Sequence, residues 1–266
     1  MVGVLLLRGM LVGVLAGLVC FAFLKFVGEP SLDRAIAFES ASHSVPHEHT
    51  HDAAGGAADH HHDAAEHHDH GAEEELVSRA VQSGLGLFTG VVVYSAAFGG
   101  LFALAFAFMY GRTDLDARGT AALLAALAFT ALYLMPSLKY PANPPSVGSA
   151  ETIGARTALY FAMMAVSFAA MIAAAMLRRL LADRLTRWNA TIAGAVAYLA
   201  VVAIAAAILP AVDEVPRNFP ASVLWQFRVA SLGGQLVMWA VIGLGFGWWT
   251  VRAEQAAQPR LGARAS

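Results

Sequence analysis

The sequence is 266 residues long, 58% hydrophobic and only 14% charged, with a formal net charge of −2 at pH 7 and a mean hydropathy of +0.59. A soluble domain carries about a quarter charged residues; here the charges gather in short islands between continuous apolar runs of roughly twenty residues, the length that crosses a hydrocarbon core. The runs do not alternate, which excludes a membrane barrel, the single cysteine excludes an internal disulfide or a metal site built from cysteines, and no nucleic-acid partner is expected.

Backbone groups in lipid must bond within their own segment, so each run is a helix. The expected fold is therefore all-α and polytopic, with about six transmembrane helices. Spans are predicted near 9–27, 85–109, 119–137, 157–177, 190–209 and 229–250. The chain then divides into a first transmembrane helix at 1–27, a loop at 28–83, a five-helix bundle at 84–252 and a tail at 253–266. The first run reads as an uncleaved anchor rather than a signal peptide. Its early charge is Arg8 alone, and Phe26-Val27-Gly28-Glu29-Pro30 has no small-x-small cleavage site. Cys20 inside it reads as a small core residue.

Orientation follows from the basic residues. With the N-terminus in the cytoplasm, the inner islands hold ten basic residues against four acids, and the outer islands seven against fifteen. The Arg178, Arg179, Arg184 and Arg187 linker is the strongest single pointer under the positive-inside rule. Both termini are thus expected in the cytoplasm, and the 28–83 loop outside. Glycines at four-residue spacing (Gly9, Gly13 and Gly17; Gly86 and Gly90; Gly243 and Gly247) predict close helix packing.

All ten histidines lie in the outer loop: His43, His47, His49, His51, His60, His61, His62, His67, His68 and His70. Glu48, Asp52, Asp59, Asp63, Glu66 and Asp69 are interspersed among them. No apolar periodicity exists there, so the loop is expected to be disordered without a ligand. Neutral imidazole is the common ligand of borderline divalent metals, and carboxylates such as Asp52, Asp63 and Asp69 add charge. Many interchangeable donors on a flexible tract favour capture and exchange of a metal over one rigid site. A proton-sensing segment or a plain polar linker are the alternatives.

Two later outer loops match each other. Met135-Pro136-Ser137-Leu138-Lys139-Tyr140 runs into Pro141-Ala142-Asn143-Pro144-Pro145, and Leu209-Pro210 leads through Asp213 and Glu214 to Pro216-Arg217-Asn218-Phe219-Pro220. Each has a span-ending Pro, then Pro-x-Asn-x-Pro, then an arginine at the next span (Arg156, Arg228), as Arg79 precedes the second span. A helical hairpin repeated in parallel would produce this pattern, and so would turn chemistry alone. Asp213, Glu214, Lys139, Tyr140, Asn143, Asn218, Arg156 and Arg228 are the candidate pore mouth, with interfacial ion pairing the competing role.

The spans carry no acid or histidine at mid-depth. They offer neutral groups: Met163, Met164, Met171, Tyr94, Tyr133, Tyr198, Gln235, Ser95, Ser167 and Ser231, which read as packing. No phosphate-binding Gly-x-x-x-x-Gly-Lys-Ser/Thr loop exists, so ATP hydrolysis by this chain is not expected. Nor is any enzyme activity, because no span holds a Ser/His, paired-carboxylate or His-Glu-x-x-His constellation.

Together these residues resemble the CbtA family of predicted cobalt transporter subunits. The likeness rests on the first span, the His/Asp-rich loop and Glu73-Glu74-Glu75-Leu76-Val77-Ser78-Arg79 leading into Gly86-Leu87-Phe88-Thr89-Gly90. It continues through Leu138-Lys139-Tyr140-Pro141-Ala142-Asn143-Pro144-Pro145-Ser146-Val147-Gly148 and Asp213-Glu214-Val215-Pro216. The resemblance implies cobalt uptake linked to cobalamin synthesis, a site in the cytoplasmic membrane of a bacterium, and a very small single-span partner, CbtB. The family is described with about five spans, one fewer than hydropathy gives here. The expected function is a membrane subunit that captures Co²⁺ as bound substrate, with Ni²⁺ or Zn²⁺ as alternatives, and passes it through the bundle. A non-transporting membrane-tethered metal buffer or sensor is the competing expectation.

Overall fold

The computed structural model describes residues 2–43, 78–145 and 147–262. Every regular element among them is helical, and six helices are long and apolar enough to cross a membrane. The first comprises α1 (Val2–Phe23), which continues through a π-turn (Leu24–Gly28) into α2 (Glu29–His43). The second comprises α3 (Arg79–Val81), a π-turn (Gln82–Gly86) and α4 (Leu87–Met109), and the third α5 (Ala117–Phe129), a π-turn (Thr130–Leu134) and α6 (Met135–Lys139). The fourth, fifth and sixth are α7 (Ile153–Leu181), α8 (Arg187–Ile208) and α9 (Ala221–Gly262).

Each expected span falls on one of these helices, but the helices outrun the apolar runs. Val2–Ala41 spans 40 residues, or about 60 Å at 1.5 Å per residue, twice the ~30 Å hydrocarbon core. Residues 29–43, expected as the start of the loop, are thus helix. They are held by Arg79, whose guanidinium reaches Glu29 at 2.6 Å and Asp33 at 2.9 Å. Residues 44–77, with nine of the ten histidines and with Asp52, Asp63 and Asp69, lie outside the described residues; His43 is described in its backbone only. The short turns at the other end are capped, Asp116 accepting from Gly119 N–H at 2.8 Å and Thr186 from Asn189 N–H at 3.3 Å.

The π-turn of the third helix has a local cause. Pro136 has no N–H to give the Leu132 carbonyl, and a ring inside a helix crowds the preceding turn; the widened turn at Thr130–Leu134 comes immediately before it. Pro136 therefore does not end its span as expected, whereas Pro210 lies two residues beyond the last residue of α8, Ile208.

The spans do not pack as three equivalent hairpins. α1 lies along α4, and α9 packs on both α1 and α5. α7 pairs with α8, but it meets the third span chiefly at the π-turn and α6. One apolar core, with Phe102, Phe106, Met238, Trp239, Ile242 and Phe246, fills the group formed by the first, second, third and sixth spans. Another, with Met163, Ala170, Ala174, Tyr198 and Val202, joins the fourth and fifth. A small third cluster sets Ala35 of α2 against Val147, Phe219 and Val223. It places α2 and the connections at 140–152 and 209–220 at one end of the bundle, the end from which the histidine-rich segment departs. That end is the histidine end.

Lipid tails are as apolar as leucine, so helices in a membrane associate through close packing of small residues. The α1–α4 seam shows this: a Cβ on Gly9 would collide with the Gly99 carbonyl, and one on Gly13 with the Ser95 carbonyl. Gly243 faces Ala125 and Gly247 faces Arg118 in the α5–α9 seam, but a Cβ on Gly90 would meet nothing within 4 Å. Of the three expected glycine pairings, two are helix contacts and Gly86/Gly90 is not.

Candidate functional site

At the histidine end, where the two helix groups meet, lies a cavity of about 690 Å³. The third span contributes Tyr133, Ser137 and Lys139, and α7 contributes Arg156, Thr157 and Tyr160. The connection before α9 adds Asp213 and Glu214, and α9 itself Arg228 and Ser231. Seven of the eight residues expected at a pore mouth therefore share one cavity, and Asn218 lies exposed outside its lining.

The two acids have different circumstances. Glu214 Oε2 accepts from Thr152 Oγ1 at 2.9 Å and from Ser149 N–H at 3.3 Å, and faces Arg156 Nε at 3.3 Å. The Arg156 fork also donates to the carbonyls of Val147 and Ser149. Glu214 is thus a latch that joins the 209–220 connection to the start of α7. Asp213, its neighbour, is exposed and has no ion-pair partner among the described residues.

The remaining cations are also occupied. Arg228 donates from Nη2 to Asn143 Oδ1 at 2.9 Å and from Nε to the Ala142 carbonyl at 3.3 Å. Lys139 Nζ lies over the Tyr140 ring, 5.8 Å from its centroid. Tyr140 donates its hydroxyl to the Pro210 carbonyl at 2.7 Å, and burial pushes that hydroxyl up from its ordinary value, which keeps it a donor. The three arginines at matching sequence positions act alike, since each holds a distant segment to the start of a span: Arg79 holds α2, Arg156 holds Glu214 of the 209–220 connection, and Arg228 holds the 140–152 connection.

Sequence reasoning missed the polar side chains that extend the cavity into the membrane. Tyr133, Tyr160 and Ser231 line it, and Tyr133 and Ser231 share a hydrogen bond of 2.9 Å across 98 residues of sequence. Both were visible as neutral groups in spans, but nothing in a single sequence separates a lining hydroxyl from a packed one. Ser167 and Tyr198 illustrate the second kind, bonded to each other at 2.9 Å inside the fourth–fifth pair.

The latch has a testable weak point. Gly148 sits at φ +101° with the Arg156 guanidinium against the position of its missing Cβ. Gly148→Ala is expected to displace Arg156 from Glu214 and to cost about 1–3 kcal/mol in backbone strain alone. Thermal unfolding of the purified protein checks this; an unchanged midpoint would contradict it.

Among the described residues no cluster of three or more His, Cys, Asp or Glu is poised to hold a metal. Besides its cations and Glu214, the cavity lining holds Asp213, which has no ion-pair partner among the described residues, and the hydroxyls of Tyr133, Tyr160 and Ser231. A model of the family described as probable cobalt transporter subunit (CbtA) matches residues 2–251. No curated protein and no solved structure matches the chain.

Proposed function

The chain belongs to the family of probable cobalt transporter subunits, CbtA, and from that premise we propose that it admits Co²⁺ through the cavity at its histidine end, with Asp213 as the receiving ligand. The observation that carries this reading is the division of labour at the mouth. Glu214 is committed to Arg156, Thr152 and Ser149, while Asp213 beside it has no ion-pair partner among the described residues and lines a cavity that reaches Tyr133, Tyr160 and Ser231.

The basic Arg178–Arg187 linker supports a cytoplasmic location for the opposite end, so the histidine end faces outward from the cytoplasmic membrane. The cavity lining holds three cations and two carboxylates, so it does not attract a dication at long range. That attraction comes from the fifteen acids assigned to the outer islands, set against seven bases there. The tract from His43 to His70 captures the ion on imidazole and carboxylate and exchanges it rapidly. Delivery is short-range, because α2 leads into the tract and packs through Phe38 on Phe219, ring centroids 5.2 Å apart, in the same connection that carries Asp213 and Glu214.

An inside-negative potential supplies about 4.6 kcal/mol per 100 mV for a dication, twice the single-charge value, so no ATP site is required in this chain. No catalysis is assigned to it. A small CbtB-like single-span subunit completes the transporter. Ni²⁺ and Zn²⁺ compete as substrates, since nitrogen and oxygen donors do not single out cobalt.

The role of the tract is tested by deleting residues 44–77 and measuring uptake against cobalt concentration. Uptake is expected to fall several-fold at low cobalt and to recover at high cobalt. Equal uptake at every concentration would remove the tract from the mechanism.

A further inference from the structure

A second cavity, of about 310 Å³, lies between α1, α4 and α9. It shares Ser231 with the first and continues along α9 through Gly234 and Gln235 to Met238. Met238 is ten residues beyond Arg228, or about 15 Å further along the helix. The Tyr133–Ser231 hydrogen bond marks the junction of the two cavities.

The lining of this second cavity is unusual for a membrane span. It brings together Cys20, Tyr94, Ser95, Ser231, Gln235 and Met238 from three helices. Ser95 is fully buried and its Oγ has no hydrogen-bond partner among the described residues, although a serine inside a helix ordinarily bonds back to the carbonyl one turn earlier. An unsatisfied buried hydroxyl is destabilising, and in a lipid-embedded bundle no bulk water relieves it. The Cys20 Sγ–H reaches across to the Gly234 carbonyl at 3.3 Å.

We propose that this cavity is a transit site within the membrane for the divalent cation, ligated by the Cys20 thiolate, the Ser95 hydroxyl, the Gln235 carbonyl oxygen and the Met238 thioether. The inference deepens the uptake reading above and rests on it. A dication in a low-dielectric interior needs a negative ligand, and the spans offer no acid or histidine at that depth. Cys20 supplies the charge: its S–H bond breaks, a metal–sulfur bond forms, and the proton leaves through water in the outer cavity. The orphaned Ser95 oxygen then acquires the partner it lacks. Thiolate and thioether beside oxygen donors suit a borderline ion such as Co²⁺ and disfavour Mg²⁺ and Ca²⁺.

The chain has one cysteine, so a thiolate-to-cobalt charge-transfer band has one origin. Purified full-length protein loaded anaerobically with Co²⁺ is expected to show this near-ultraviolet band. Cys20→Ser abolishes it, and Ser95→Ala raises the cobalt concentration needed to develop it by roughly ten- to a hundredfold, the range seen for supporting groups at metal sites. Cys20→Ser also slows cobalt flux into vesicles by about tenfold or more, equivalent to about 1.4 kcal/mol. No band in the unmodified protein at saturating cobalt would overturn the site, and so would full flux in Cys20→Ser. A band without any flux would overturn the uptake reading and leave the cavity as a binding site. Flux without a band would overturn the transit site alone.

Discussion

Replacing Asp213 by Asn is expected to reduce cobalt uptake at every metal concentration, by about ten- to a hundredfold. An interaction with a charged group contributes about 1.5–3 kcal/mol, and the loss falls on translocation itself rather than on capture. Asn has nearly the same volume and keeps an oxygen donor, so the effect isolates the charge. Glu214→Gln is the internal control. Gln still accepts from Thr152 and Ser149, and the part it loses is attraction to Arg156, an ion pair with both side chains more than a fifth exposed. Such pairs contribute about 1 kcal/mol or less, so uptake should fall by no more than about fivefold. Initial rates of uptake in whole cells over a range of cobalt concentrations check both variants. Equal losses in the two would mean that the neighbouring acids act as a unit, against a division of labour between them.

The largest structural effect is expected at the α1–α4 seam. Gly13→Leu sets a branched side chain against the Ser95 carbonyl and the Ala96 backbone, and backbone cannot turn aside as a side chain can. Overpacking a well-filled interior costs about 1–3 kcal/mol and occasionally more. With backbone on the other side, about 3 kcal/mol or more is expected, together with loss of folded protein from the membrane. The same change at Gly90, where a Cβ meets nothing within 4 Å, is expected to shift stability by roughly 0.5 kcal/mol or less. Gly90 borders the second cavity, so stability rather than flux is the informative comparison. Size-exclusion profiles and thermal unfolding in detergent distinguish the two variants, and similar behaviour would contradict the seam.

These two glycines show where a single sequence stops being informative. Gly9, Gly13 and Gly17 and the pair Gly86 and Gly90 have the same spacing, but lipid-facing and helix-facing surfaces are both apolar, so spacing alone cannot tell them apart. The six spans were legible because hydrocarbon imposes a length and an apolar content that nothing else in a sequence mimics. Their ends were not, because hydropathy marks where lipid stops and a helix can continue into water, as Glu29–His43 does. The charges beside the Pro-rich connections, expected to lie together, line one cavity, with Asn218 the exception. That Glu214 latches while Asp213 is unpaired depends on a fold that brings Thr152 and Arg156 beside it. The repeated Pro and Arg signals were consistent with a helical hairpin repeated in parallel or with turn chemistry alone; the packing of the sixth span on the first and third does not follow a repeated hairpin. Cys20 packs in the apolar core, as its sequence setting indicated, and the residues that share its cavity from α4 and α9 lie at least seventy positions away.

Transport itself is the claim on which the rest depends. The spans carry no mid-depth acid or histidine, the condition under which a membrane-tethered buffer or sensor would also bind cobalt. The direct measurement is entry of radioactive Co²⁺ into vesicles reconstituted with the protein, with and without a CbtB-like subunit, under an inside-negative potential. Potential-driven entry that falls by about ten- to a hundredfold in Asp213→Asn is the expected result. Tight cobalt binding with no entry under either condition would contradict transport and assign the protein to metal buffering or sensing.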